Sequence, residues 1–142
     1  MSVRVELANR SGWRIDERAA IAVLRAALEA EGVGDGEVGL ALVGVGEMAE
    51  LNSRHRGRDT ATDVLSFPVD MLEELPPQVP RQLGDLVICP ELAEREGTPI
   101  ATLLVHGALH LVGYDHESDD GRMLRRQAAL VEEVEAVAAS AA

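Results

Sequence analysis

PIATLLVHGALHLVGYDH, residues 99–116, begins on a proline behind Thr98 and ends on a histidine behind Gly113. A helix drawn over Pro99–Val112 is apolar on nearly all sides, which predicts a helix buried among other elements rather than lying on the surface. Thr98 is the expected cap, with Pro99 at the first helical position, where a missing N–H leaves nothing unsatisfied. Thr102, His106 and His110 recur every four residues and form one polar stripe on this apolar cylinder. Gly113 can end the helix and let the chain reverse, returning His116 toward the same point.

A helix of this kind needs layers around it, and the rest of the chain supplies them. Residues 3–8 (VRVELA) and 37–44 (EVGLALVG) alternate apolar with polar or small residues, the period of half-buried strands. Between them Asp16 caps the run DERAAIAVLRAALEAEG, whose Ile21, Leu24 and Leu28 fall at helical spacing and which Gly32 closes. A short helix is expected over EMAELNSRH, then strands over DVLSFPV from Asp63 and GDLVIC from Gly84, separated by a long loop with Pro76, Pro77 and Pro80. From Pro90 onward the chain is helical. A last helix starts at Ser118, with Asp119 and Asp120 behind it, and runs to about Val137. This order predicts an α+β fold in which residues 1–142 form a single domain. It has one four-stranded mixed sheet, helices packed on it, and a metal site at the end of the buried central helix.

Composition bounds the function. The 142 residues carry a net charge of -12, which argues against broad electrostatic capture of nucleic acid. The 13 cations are all arginine, and three of them, Arg54, Arg56 and Arg58, crowd the stretch SRHRGRD. No apolar leader and no uncharged span of membrane length is present, so a cytoplasmic protein without a membrane is expected. The single cysteine, Cys89, excludes an internal disulfide and a thiolate-rich metal site, and reads as a small buried apolar residue beside Val87 and Ile88.

Burying two imidazoles costs free energy unless each finds a partner, and a metal ion satisfies both at once. His106, His110 and His116 would give three neutral nitrogens with a fourth position open, the ligand logic of a catalytic zinc centre. The competing reading is a pair of core histidines bonded to backbone carbonyls, with His116 on a turn. Asp115 and Tyr114 are either groups that orient an imidazole or ordinary turn residues. The spacing also matches the metzincin proteases, but Gly107 stands where their glutamate base belongs, which disfavours a peptidase. Glycine in mid-helix costs about 1 kcal/mol against alanine, so a close approach by another backbone or by substrate is expected there.

The second concentrated stretch, LNSRHRGRDTATDVLSFP (Leu51–Pro68), joins the short helix to the third strand. Arg56 is a candidate for clamping a phosphate or stabilising charge that develops on it, against the alternative of a surface arginine paired with Asp59 or Asp63. Arg54 and Arg58 are candidates for substrate contact. Gly84 permits close backbone approach, and Asp85 either orients a histidine or Arg56, or bonds its own turn.

Together, LNSRHRGRDTATDVLSFP, GDLVICP (Gly84–Pro90) and HGALHLVGYDH (His106–His116) resemble the YbeY family of bacterial endoribonucleases, the rRNA maturation factors. The resemblance implies a four-stranded α+β fold and one Zn2+ per chain on His106, His110 and His116. It implies single-strand-specific cleavage of RNA in 16S rRNA 3′-end maturation and ribosome quality control, with Arg56 needed for activity. Arg56 and the ligand His110 are therefore the expected catalytic residues, and the 16S rRNA precursor and small-subunit proteins the expected partners. His55 departs from the family, which usually has tyrosine there. The remaining alternatives are another metallohydrolase, and a ribosome assembly factor whose zinc is structural and closed by a fourth protein ligand.

Overall fold

Four strands, Val3–Asn9 (β1), Gly36–Leu42 (β2), Val64–Pro68 (β3) and Gln82–Ile88 (β4), form one sheet in the order β1-β2-β4-β3. The computed structural model describes residues 3–56, 62–69, 81–114 and 120–141, with the backbone alone at 55, 56 and 136–141. β1 pairs with β2 in parallel, from Val3 against Gly36 to Asn9 against Leu42. β2 also runs parallel to β4, and an irregularity between Glu37 and Val38 leaves Leu83 as an extra residue in the β4 register. β3 closes the edge antiparallel to β4, with Val64 opposite Ile88 and Pro68 opposite Gly84. The sheet is mixed, as the order of elements predicts.

The alternation in β1 and β2 does what its period requires. Val3, Val5, Val38, Leu40 and Leu42 are buried on one face, while Arg4 and Glu6 are exposed on the other. Against the buried face lie the helices Glu17–Ala30 (α1) and Ile100–Leu111 (α4), and Arg122–Ala141 (α5) packs on both of them. The Asp16 carboxylate accepts from the Ala19 N–H at 3.0 Å and starts α1, and Leu24 and Leu28 bury its inner face. α4 buries Leu103, Leu104, Val105, Gly107, Ala108, Leu109 and Leu111, so the expectation of a buried central helix holds.

The opposite face of the sheet carries a smaller core. There Val45–Arg56 (α2) brings Met48 onto Val43, Leu65, Val87 and Cys89. Cys89 is fully buried among apolar neighbours, as its context predicts. A further short helix, Pro90–Glu96 (α3), leads back toward α4.

Two helix starts differ from expectation. Pro99, not Thr98, holds the cap position of α4: its carbonyl accepts from the Thr102 and Leu103 N–H groups at 3.0 and 3.3 Å. The Thr98 N–H is committed to the Ala93 carbonyl at 2.9 Å, where it closes α3 instead. α5 begins at Arg122, after Gly121 rather than at Ser118, and extends to Ala141, beyond the expected end. Ser118, Asp119 and the proline-bearing loop lie outside the described residues. No helix among them is long and apolar enough to cross a membrane.

Gly84 shows why the edge strand can sit where it does. Its φ of +129° is a conformation L side chains rarely adopt, and a Cβ there would lie 2.4 Å from the Phe67 carbonyl oxygen and 3.0 Å from Leu111 Cδ2. The close backbone approach expected at this position is made by β3, and the Leu111 side chain of α4 crowds the same point.

Candidate metal centre

His106 and His110 sit one turn apart on α4, both half-buried, with ring centroids 4.7 Å apart and planes at 74°. His106 Nδ1 lies 2.8 Å from Gln127 Oε1 of α5, and His110 Nδ1 lies 3.0 Å from the Tyr114 carbonyl oxygen. Both partner atoms are oxygens that can only accept, so both Nδ1 atoms donate. A neutral imidazole protonated at Nδ1 carries its lone pair on Nε2, the nitrogen such a ring offers to a metal. The two rings are thus set in the same tautomer by two unrelated partners, one a side chain and one a backbone carbonyl.

The turn after α4 makes the second of these contacts. Gly113, at φ +104°, donates to the His110 carbonyl at 3.0 Å, and Tyr114 donates to Leu109 at 3.0 Å. This closure folds the chain back so that the Tyr114 carbonyl meets the His110 ring. Gly113 therefore ends the helix as expected, and Tyr114 does orient an imidazole, through its backbone rather than its phenol. His116 and Asp115 fall outside the described residues, and among those described no group of three or more His, Cys, Asp or Glu could hold a metal ion.

The remaining expected residues are described only in part. Arg56 is the last residue of α2, on the sheet face opposite α4, and the chain passes from it to the edge strand β3; its side chain is outside the description. Arg54, two residues earlier, pairs with Glu50 at the exposed surface. Arg58 is outside the described residues. Asp85 is exposed, and its carboxylate lies over Gly39 on the face of β4 away from Leu86, which meets α4. The structure does not bring Asp85 to His106 or His110.

Gln127 is the site residue that motif reading misses. It falls four residues after Met123 and three before Leu130, both fully buried, so it is a polar position within the apolar stripe of α5. That interruption is the signal in the sequence, but its partner lies 21 residues away and only the fold joins them.

A family model described as Endoribonuclease YbeY matches residues 9–135. The chain belongs to the YbeY family. It is 39% identical to the endoribonuclease YbeY of Salinispora tropica over 146 residues, covering 89% of this chain and 93% of the relative. It is 38% identical to that of Mycolicibacterium smegmatis over 145 residues, covering 91% and 82%. A solution structure from Thermotoga maritima aligns with a TM-score of 0.56 at 32% identity, covering 93% of this chain and 88% of that one. As a YbeY-family chain, this protein presents paired imidazole donors on a buried helix. Such a donor set suits zinc and other borderline first-row ions better than calcium or magnesium, which prefer oxygen.

Proposed function

We propose that the protein, acting through residues 1–142 as one domain, is a zinc-dependent, single-strand-specific endoribonuclease. Its role is 16S rRNA 3′-end maturation and ribosome quality control in the cytoplasm. His106, His110 and His116 hold one Zn2+ per chain. The observation that carries this reading is the pairing of both described histidines, through Nδ1, with oxygen acceptors. Such a pairing fixes the orientation of each ring, which is what the partner behind a metal-ligating imidazole does. Family membership supplies the endoribonuclease class.

The chemistry zinc supplies when bound is polarisation of a phosphoryl oxygen and a lowered pKa, about 7, for coordinated water. Around it the chain's own groups have separate tasks. The Arg56 guanidinium neutralises charge that develops on the phosphate, and Arg54 and Arg58 hold flanking phosphates. The Tyr114 carbonyl keeps His110 from rotating. Gly107 offers no carboxylate, so proton removal from the nucleophile does not fall to the residue after His106. A chain of net charge -12 holds free RNA through few phosphate contacts, and docking on small-subunit proteins supplies the missing affinity and specificity.

The test is cleavage of a labelled single-stranded RNA by the purified protein beside identically prepared Arg56→Ala and His110→Ala. Wild type should cut, and each variant should lose about 100-fold or more in rate, the scale of removing a group that stabilises transition-state charge. Equal cutting by all three would assign the nuclease to a contaminant and leave an assembly factor with structural zinc.

A further inference from the structure

We propose that Gln127 is a positioning residue for the metal: its side-chain oxygen fixes the His106 ring with Nε2 presented to the ion. The inference rests on the zinc reading above and extends it to a residue that no histidine motif contains.

The two described ligands are held differently. His110 Nδ1 meets a carbonyl that any residue at position 114 would supply, whereas His106 Nδ1 meets a side chain from another helix. Gln127 occupies a half-buried position between Met123 and Leu130, where a leucine or methionine would satisfy packing without leaving a polar group to be bonded. Its 2.8 Å contact to His106 Nδ1 accounts for a glutamine at this point in the stripe.

The helix that carries it is also fixed in register. The neighbouring Arg126 reaches Glu31 at the end of α1 at 3.2 Å and Glu133, about two turns along α5, at 3.5 Å. Met123, Leu130 and Val134 bury the inner face of α5 in the main core. The amide is therefore presented from a rigid element, as orienting groups behind metal ligands must be. Without that acceptor the His106 proton is no longer confined to Nδ1, and a ring protonated at Nε2 has no lone pair there for the ion. Loss of such an orienting partner typically lowers metal affinity 10–100-fold.

The experiment compares the full chain with Gln127→Leu and Gln127→Glu in three measurements. Zn2+ affinity is read by competition with a chelating dye. The His106 tautomer in metal-free protein is read from its ring 15N shifts, and folding from the thermal midpoint. Gln127→Leu should melt at or above the wild-type temperature, bind Zn2+ 10–100-fold more weakly, and lose the uniform Nδ1–H tautomer. Gln127→Glu keeps an acceptor and should keep both the tautomer and an affinity within about tenfold of wild type. Unchanged affinity or an unchanged tautomer in Gln127→Leu overturns the role of Gln127 while leaving the zinc site standing. A wild type that binds no Zn2+ overturns the zinc reading and the inference with it.

Discussion

Gly107 and Leu86 touch at the centre of the molecule: a Cβ built on Gly107 would lie 2.1 Å from Leu86 Cδ1 and 2.8 Å from Cδ2. The contact lets α4 settle directly onto β4, and it gives the mid-helix glycine its reason. The approaching group is a sheet side chain, not substrate. It also bears on the likeness to metzincin proteases, because position 107 faces the sheet. A glutamate placed there would be driven into the core.

Gly107→Ala tests the contact. Alanine gains about 1 kcal/mol in helix propensity, while overpacking a closed core costs about 1–3 kcal/mol, and the fully buried Leu86 has little room to yield. The variant should therefore unfold at lower urea, with a net loss of up to about 2 kcal/mol. Adding Leu86→Ala removes the obstructing methyls, so the double variant should fall short of the sum of the singles by at least about 0.5 kcal/mol. A Gly107→Ala protein as stable as wild type would show that α4 does not need this close seat.

The same helix shows how far the sequence could be read. Its apolarity, the four-residue spacing of the histidines and the stop at Gly113 are local signals, and the structure reproduces each of them. The strands and α1 were legible because alternation and capping act within a few residues. Thr98 falls one residue before the true cap because its N–H closes the end of α3 while the Pro99 carbonyl accepts the first N–H groups of α4, and no local pattern says which residue of the short connection is aimed at them. The direction of Asp85 depends on strand parity past an irregular register at Leu83, which no local pattern reports. Gln127 went unseen because a lone glutamine on an amphipathic helix acquires meaning only from the residue opposite it. Non-local pairing, not weak patterning, is where sequence reading stopped.

Arg126 and Glu31 join α5 to α1, and the pair is unequal. The Glu31 side chain is 10% exposed against 28% for Arg126, and Glu31 Oε1 is buried with no hydrogen-bond partner among the described residues. Removing the arginine leaves a nearly buried carboxylate uncompensated, which costs more than losing the attraction itself. Arg126→Met should destabilise by about 1–3 kcal/mol, and Arg126→Met with Glu31→Gln should recover part of that loss. Urea midpoints of the two proteins decide the matter. A double variant less stable than Arg126→Met alone would mean that the buried charge is not the source of the cost.

Arg10 and Glu47 tie the end of β1 to the first turn of α2 through two hydrogen bonds, 2.7 Å from Nη2 and 3.3 Å from Nε. Those bonds are the largest influence on Glu47 and hold its carboxyl below the usual glutamate range; partial burial opposes them and the Arg10 charge adds to them. A carboxyl whose folded value is depressed stabilises the fold above its unfolded pKa of about 4.3, and that contribution is lost as pH falls through the folded value. Arg10 is raised from an already basic value and stays charged throughout. Wild type should therefore exceed Glu47→Gln in stability at about pH 6, by a small and salt-sensitive margin because both partners are exposed. The margin should close as the medium is taken to about pH 3, below the ordinary glutamate range. Urea midpoints of the two proteins, collected across that interval at low and high salt, measure it. A margin that persists unchanged at the acid end would place the benefit of Glu47 in packing rather than in its charge.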